Sequence, residues 1–547
     1  MAADLILTNG VVHTVDAARS VREAVAVAAG RVVAVGSASE VAELAGPATR
    51  TVDVEGGMLL PGFQDAHCHL AMGGYERTLC DLSESRGAEE HLRRIREYAA
   101  ANPDREWILG GGWSMSDFPG GIPTRQQLDA VVADRPVILP NSDYHGAWAN
   151  TRALELAGIG RGSPDPFGGR IERDQDGEPV GMLQESAMGL VLDLAPKPDA
   201  EQRAAGLRTA QEYYHRLGIT ACQDATVEPD YQETYERLAR SGELTLRVRG
   251  NLSWNPALGD EQLDQLIERR LSGTVGRLTC GNVKFFHDGV VENRTAAMLD
   301  PYLDAAGAAT GEYGIDQYRL EDLARHVVRC DAAGFGIHIH AIGDRAVRES
   351  LDVLEEAAAA NGRRDARHQL AHVQFTHPDD IPRFRSLGVV ANVTPLWARL
   401  ESYIAELTIP FISPAAAAMI YPFGSILRAG GALAFGSDWP VSTPDPLHQL
   451  ATAVARTDPE TSSDEPLLPD ERLDLGSAIA AQTIGAAHAS FLDDTTGSIE
   501  PGKLADLVVL DRDLFATAPA DYLEVQVLAT LVEGEVVHAA PGSVLAG

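Results

Sequence analysis

The chain has 547 residues, which is too many for one ordinary hydrophobic core but suits one large domain with additions. Its 45 lysines and arginines against 79 aspartates and glutamates give a formal charge of −34, which excludes nucleic acid as an expected partner because polyanions are repelled. An uninterrupted apolar run of about 18 residues is absent, as is a basic segment followed by an apolar signal core, so we expect no membrane partner and a cytoplasmic location.

Short alternating runs at the start of the chain predict strands over residues 4–12 and 24–35. The pairs Asn9-Gly10 and Gly30-Arg31 lie where hairpin turns need residues that accept positive φ. Near the other end of the chain, residues 505–510 also read as a strand. We expect these three segments to have a purely structural role.

The segment His67-Cys68-His69 follows a short apolar run and is the strongest chemical signal in the chain. On a strand, positions i and i+2 face the same side, so both imidazoles can point to one place. Two imidazole nitrogens form half of a site for zinc or a similar divalent ion. The five cysteines form no Cys-x-x-Cys pair, which argues against thiolate ligands.

The stretch from about 75 to 197 is too long for a simple connection after the strand that carries the histidine pair. An insertion at the end of such a strand can cover the site and supply substrate contacts. Trp113, His145 and Trp148 are candidates either for pocket lining or for core packing. Glu185 can reach the site, although a helix cap or a surface charge explains this residue nearly as well.

Four later apolar runs each end with a potential ligand, namely Lys284, His340, His372 or Asp438. Helix-like stretches at residues 320–333, 346–360 and 446–455 alternate with these runs, which is typical of a parallel sheet. In a barrel of alternating strands and helices, reactive groups gather at the carboxyl ends of the strands. Residues hundreds of positions apart in the sequence can therefore share one centre.

The order of these motifs resembles the amidohydrolase superfamily, and within it the amidohydrolase-3 or YtcJ-like group that includes N-substituted formamide deformylases. The resemblance rests on the His67/His69 pair, the Lys284 segment, residues 340–346, His372, residues 436–440 and the closing motif at residues 497–507. It implies an α/β fold: a (β/α)₈ TIM-type barrel, a small β-sandwich formed by both chain ends, and an insertion after the first barrel strand. The implied limits are 1–60 and 491–547 for the sandwich and 61–490 for the barrel, with the insertion at about 75–197.

The same resemblance implies a two-metal centre. His67, His69 and Asp438 would bind one ion, His340 and His372 the other, and an N-carboxylated Lys284 would bridge them with one oxygen each. A plain ammonium has no lone pair and would repel a cation, so the alternative for Lys284 is a salt bridge at a strand end. His338 faces the same side of a regular strand as His340, and His340 is preferred because it begins the family motif. We predict two Zn per chain, with Fe, Mn or Ni as other suitable metals.

Together with these residues, the resemblance implies an amidohydrolase that acts on a non-peptide C–N bond of a small-molecule amide or N-substituted formamide. Metal-bound hydroxide would attack the carbonyl, and Asp438 would take up the proton and pass it to the leaving nitrogen. One alternative is a mononuclear aminohydrolase that deaminates a ring or amidine carbon, and a second is an inactive barrel scaffold or binding protein. Trp397 and Tyr421 would favour an apolar N-substituent or simply line the barrel rim. Barrels of this family often associate, which is compatible with a homo-oligomer.

Overall fold

The computed structural model describes residues 2–461 and 465–546. Eight parallel strands, each hydrogen-bonded to the next in chain order, form a nearly closed barrel. They are β1 (Phe63–Cys68), β2 (Ile219–Val227), β3 (Arg247–Ser253), β4 (Leu278–Phe286), β5 (Gly336–Ala341), β6 (Gln369–His372), β7 (Val390–Val393) and β8 (Ala432–Phe435). Just beyond β8, the amide of Asp438 donates to the carbonyl of His67 at 2.7 Å, which links the last strand to the first.

The barrel is surrounded by helices whose apolar spacing explains their orientation. In Leu320–Ala332, the buried residues Leu323, Val327 and Cys330 recur at intervals of four and three, so they form one face toward the strands. The predicted helices at residues 320–333, 346–360 and 446–455 are present as Leu320–Ala332, Asp344–Asn361 and Pro446–Ala455. The other helices of this part of the chain are Leu70–Glu76, Ala200–Arg216, Pro229–Ser241, Leu263–Ser272, Ile381–Leu387, Pro414–Ala417, Phe423–Arg428, Leu475–Ala480 and Ala486–Ala489.

Both ends of the chain contribute to a small β-sandwich beside the barrel. One sheet has the strand order Arg31–Gly36, Ala24–Ala28, Leu5–Thr8, Arg50–Asp53, and the other has the order Glu535–Ala539, Val527–Val532, Leu507–Leu510, Met58–Pro61, Val11–His13, Val21–Arg22. Side chains from both chain ends, including Leu7, Leu59 and Leu531, share one apolar cluster. The predicted fold class is therefore confirmed, while the domain limits stay predictions.

The insertion between β1 and β2 has a sheet and a core of its own. Its strand order is Gly169–Arg173, Pro179–Glu185, Gly146–Ala149, Val137–Pro140, Ile108–Gly111, Cys80–Asp81, and its helices are Ala88–Ala101, Arg125–Asp129, Thr151–Leu156 and Gly189–Leu192. In helix Ala88–Ala101 the buried residues His91, Ile95 and Ala99 lie one turn apart and face that core. Within the described residues, no helix combines the length and the apolar character needed to cross a bilayer.

Candidate metal centre

The structure brings all six predicted ligands together at the carboxyl ends of the barrel strands. His67 lies in β1 with His69 directly after it, Lys284 lies near the end of β4, and His340 lies in β5. His372 is the last residue of β6, and Asp438 follows β8 by three residues. Five of the six are buried, with exposed fractions between 1% for Lys284 and 6% for Asp438. The side chains that meet here are therefore largely withdrawn from solvent.

His67, His69 and Asp438 form the tightest group. The Oδ1 atom of Asp438 lies 3.3 Å from Nε2 of His67 and 3.2 Å from Nε2 of His69, and one potential ligand atom from each residue falls within 4.8 Å of the others. Among the described residues, Oδ1 is buried and makes no hydrogen bond. Burial would raise the pKa of Asp438, but the neighbouring His69, His372 and Lys284 hold it at about 2, so the carboxylate is ionised. A buried anion that faces two imidazoles and lacks a partner fits a cation.

Lys284 approaches this group from β4. Its Nζ atom lies 3.4 Å from Nε2 of His67 and 4.8 Å from the centre of the Phe286 ring. Burial lowers the pKa of Lys284 to about 7, although the Asp438 carboxylate acts in the opposite direction. In the part of the chain that the structure describes, no salt bridge joins Lys284 to a carboxylate. The salt-bridge alternative for Lys284 is therefore not the arrangement found here.

His340 and His372 form the second half of the cluster. Their ring centres are 4.7 Å apart, and the His372 ring is 4.8 Å from that of His67. Burial is the main cause that holds the pKa values of His67, His340 and His372 well below the ordinary value. These imidazoles are therefore neutral and can offer a nitrogen lone pair.

Two of the six ligands have a strained backbone. His372 has φ 73° and Asp438 has φ 56°, both in the left-handed region that non-glycine residues rarely adopt. Such conformations cost of order 1–3 kcal/mol each and cluster at functional sites. Nδ1 of His372 is also buried without a hydrogen bond among the described residues. Strain and an unpartnered polar atom thus coincide at the same residue.

Two buried aspartates hold the ligand-bearing loops in place. Asp65 accepts hydrogen bonds from the Ser437 amide at 2.9 Å and from the His67 amide at 3.2 Å, so it ties β1 to the segment that carries Asp438. Asp288 accepts from the amides of Ile342 and Gly343 just beyond β5, at 3.0 and 2.9 Å. Burial raises the pKa of each carboxyl to about 6. Asp288 also lies next to the cluster itself, with its Oδ1 atom 3.7 Å from Nε2 of His340.

Three of the predicted substrate-binding residues lie beside the cluster. Nδ1 of His145 is 2.9 Å from a Glu185 carboxylate oxygen, and the His145 ring is 5.0 Å from that of His340. Burial would lower the pKa of His145, but the charge of Glu185 raises it to about 9, so His145 is cationic. Trp397 stacks on His372 with ring centres 5.1 Å apart and an interplanar angle of 13°. The insertion thus contributes a cation, and the segment after β7 contributes an aromatic wall.

The other three predicted substrate-binding residues lie elsewhere. Trp113 and Trp148 are fully buried in the core of the insertion, where their indole N–H groups donate to the carbonyls of Leu139 and Thr124. Tyr421 packs against Phe423, 5.7 Å away, in the barrel core. Of the two roles considered for Trp113 and Trp148, pocket lining and core packing, the structure shows core packing.

Phe286 was missed by sequence reasoning. Its side chain is 37% exposed although it is the last residue of the largely buried strand β4, and its ring centre lies 5.7 Å from that of His340. The available signal was its position two residues after Lys284, which places both side chains on the same face of β4. Phe286 and Trp397 therefore form two aromatic walls, one next to His340 and one next to His372.

The fold and this cluster define the class of the protein: a TIM-type barrel with a candidate metal centre at the carboxyl ends of its strands. The sequence matches the Amidohydrolase family (Amidohydro_3) over residues 50–538, and the chain belongs to that family. The predicted family is confirmed, and with it a hydrolase of amidohydrolase type.

Three individual proteins illustrate this membership. The chain is 34% identical to the protein LONG AFTER FAR-RED 3 of Arabidopsis thaliana, over 98% of this chain and 91% of that one. It is 32% identical to the N-substituted formamide deformylase of Arthrobacter pascens, over 99% of each chain. An uncharacterised metal-dependent hydrolase from Pyrococcus horikoshii OT3 superposes with a TM-score of 0.73 at 26% identity, covering 94% of this chain and 99% of that one.

Proposed function

We propose that this protein is a metal-dependent hydrolase that cleaves the C–N bond of a small-molecule amide or N-substituted formamide. The observation that carries the proposal is the buried, unpartnered Oδ1 of Asp438, which faces the imidazoles of His67 and His69 with Lys284 close by. The similarity to a formamide deformylase over the full length of both chains supports the choice of bond.

The donor atoms present in the cluster suit two divalent ions. His67, His69 and Asp438 would hold one ion, and His340 and His372 the other. Neutral imidazoles and an ionised carboxylate are good ligands for zinc, and also for iron, manganese and nickel. Bound ions would supply two effects, a lower pKa for a water molecule and polarisation of the scissile carbonyl.

N-carboxylation of Lys284 would complete this donor set. A free amine attacks carbon dioxide, a new C–N bond forms, and a proton is released to give an anionic carbamate with two oxygens. The lowered pKa of Lys284 makes the free amine accessible near neutral pH, since about 7 is well below the ordinary value. Each carbamate oxygen could then serve one ion, which accounts for a lysine at a position where an ammonium would repel both.

Asp438 is the group that we assign to proton transfer. With a pKa of about 2 it is ionised at neutral pH, so it can accept the proton that water loses as it attacks. It can then donate that proton to the leaving nitrogen, which would otherwise depart as a strongly basic amide anion. The position of Asp438 beside both His67 and His69 keeps its carboxylate at the centre of the cluster.

The remaining residues near the cluster would recognise the substrate. His145 is held by Glu185 as a cation and can donate a hydrogen bond to negative charge that develops on the carbonyl oxygen. Phe286 and Trp397 offer aromatic faces next to His340 and His372. An apolar or aromatic N-substituent would fit between such walls.

The test combines metal analysis with a substrate panel. Protein produced with added zinc and bicarbonate, and never exposed to chelator, is analysed for metal per chain and assayed with N-formyl, N-acetyl and cyclic amides. We expect about two metals per chain and release of the amine, with activity lost on chelation and restored by zinc. About one metal with ammonia released from amidines or aminated rings would favour the deaminase. No metal after reconstitution would favour the inactive scaffold.

A further inference from the structure

The His67 ring faces two different environments. Its Nε2 atom points into the cluster, 3.3 Å from Asp438 Oδ1 and 3.4 Å from Lys284 Nζ, while its Nδ1 atom lies 2.8 Å from Nε2 of His338. A neutral imidazole carries one N–H, and its other nitrogen carries the lone pair. If Nε2 is to bind a metal, the proton of His67 must be on Nδ1 and must be donated to His338.

The hydrogen bond from His67 fixes the position of the proton on His338, which is fully buried beneath His67. Its Nε2 must accept the hydrogen bond, so in the neutral ring the proton of His338 lies on Nδ1. Nδ1 faces two side-chain amides, with Gln223 Nε2 at 2.9 Å and Asn251 Nδ2 at 3.1 Å. Both amides present N–H groups to it, whereas an N–H on His338 needs an oxygen. If His67 binds a metal through Nε2, one of the two amides must therefore present its oxygen to Nδ1 of His338.

Gln223 is held in its present orientation. It forms a reciprocal pair with Gln369, in which Gln223 Nε2 donates to Gln369 Oε1 at 2.8 Å and Gln369 Nε2 donates back to Gln223 Oε1 at 3.1 Å. Asn282 also donates to Gln223 Oε1, at 3.3 Å. Turning the Gln223 amide would break all three of these hydrogen bonds.

Asn251 is free to turn. Its side chain is fully buried, and among the described residues its Oδ1 atom has no hydrogen-bond partner. A rotation of about 180° about the Cβ–Cγ bond exchanges the oxygen and the nitrogen with little change in shape. The oxygen would then face Nδ1 of His338 and gain the partner that it lacks, while Nδ2 would move into the place that the oxygen leaves.

We propose that Asn251 and His338 are positioning residues that set the tautomer of His67 for metal binding. Asn251 Oδ1 accepts from Nδ1 of His338, Nε2 of His338 accepts from Nδ1 of His67, and the lone pair of His67 Nε2 is left for the ion. The proposal rests on the metal centre proposed above and adds to it two residues from β3 and β5.

The first test measures zinc affinity by competition with a chromophoric chelator. Asn251→Leu removes the acceptor and should weaken zinc binding about 10–100-fold, as loss of a group that orients a metal ligand commonly does. Asn251→Asp keeps an oxygen that accepts the same bond and should stay within about threefold of the wild type. Asn282→Leu is the matched control, because it removes an amide from the same buried layer that bonds to Gln223 and not to His338. Its zinc affinity should also stay within about threefold of the wild type.

The second test needs no variant of Asn251 to fold. Imidazole ¹⁵N shifts of the histidine-labelled, zinc-loaded wild type should show Nδ1–H on both His67 and His338, with assignments taken from His338→Gln. A proton on Nε2 of His338 would overturn the proposal. So would wild-type zinc affinity in Asn251→Leu, or an Asn251→Asp variant that binds as weakly as Asn251→Leu. If the wild type itself binds no metal, the proposed function is refuted, and the proposed role of Asn251 and His338 is refuted with it.

Discussion

The protein contains two buried groups in which histidine contacts aspartate, one in the insertion and one in the barrel, and the two differ in how completely their polar atoms are hydrogen-bonded. In the insertion, His91 lies between Ser85 Oγ, 2.7 Å from its Nδ1, and Asp117 Oδ2, 2.8 Å from its Nε2. Ser85 Oγ also lies 2.6 Å from the carbonyl of Leu82, and both Ser85 and His91 are buried. Both ring nitrogens of His91 and the hydroxyl of Ser85 therefore have protein partners.

The barrel cluster is unfinished by comparison. The Oδ1 atom of Asp438 and the Nδ1 atom of His372 are buried without a hydrogen bond among the described residues, and the backbone is strained at both positions. Buried polar groups are normally paired, so these two atoms fit the metal centre proposed for the barrel. The comparison teaches that serine, histidine and aspartate in contact do not make a site by themselves. The candidate centre differs from the trio in two respects together, namely its unpaired atoms and the strained backbone at the same two residues.

Lys284→Ala should have the largest effect, because it removes the lysine that we propose as the bridge between the two metal ions. We expect metal content and amide hydrolysis to fall together, as measured by elemental analysis and steady-state assay. Added acetate or propionate should restore part of both, since a small carboxylate can supply the two oxygens of the missing carbamate. Full activity with two bound metals in the variant would refute the bridging role and leave Lys284 a structural residue.

Asp438→Asn should separate catalysis from metal binding within the same cluster. The amide oxygen can still bind an ion, but the side chain can no longer accept and return a proton. We expect kcat to fall by about 10²–10⁴-fold, which is the usual contribution of general acid and base catalysis. The metal content should change much less. A variant whose turnover stays within about twofold of the wild type would remove Asp438 from the proton-transfer step.

Ser85→Ala should have the smallest effect on function and tests the finished trio of the insertion. Loss of the hydroxyl leaves Nδ1 of His91 buried without its partner, which should lower the free energy of unfolding by about 1–3 kcal/mol. Metal content and kcat/KM should be those of the wild type. Denaturant unfolding and the steady-state assay are the two measurements, and a folded variant without activity would show that the trio takes part in hydrolysis.

Much of the architecture was predictable, because the spacing of apolar residues shows which face of a strand or helix each side chain is on. The sequence shows strand-like runs that end near Lys284, His340 and His372. Because parallel strands of a barrel all end on one side, these three residues were expected to meet, and the structure brings them together. The β-sandwich followed from the family resemblance. The two-residue period of a strand would also have placed Phe286 beside Lys284.

The sequence did not predict how deep in the barrel each side chain lies or which side chains it contacts, because the spacing of residues along one strand carries neither kind of information. His338 and His340 share a face of β5, yet one lies beneath His67 and the other beside His372. Trp113 and Trp148 lie in the core of the insertion, whereas Trp397 lies beside His372. The sequence could not separate these two cases, because large aromatic side chains are buried in cores and in pockets alike. The amides that surround His338 come from β2 and β3, so their meeting with a β5 side chain depends on packing across the barrel.

The β-sandwich has a consequence for the order in which the nascent chain can fold. Strand Met58–Pro61 lies between Val11–His13 and Leu507–Leu510, and Leu59 pairs with Val509 across a separation of about 450 residues. At a translation rate of about 5–20 residues per second, roughly 20–90 s pass on the ribosome before this strand can acquire its second neighbour. During that interval the strand Met58–Pro61 would have an unpaired edge, which is a template for pairing with other chains.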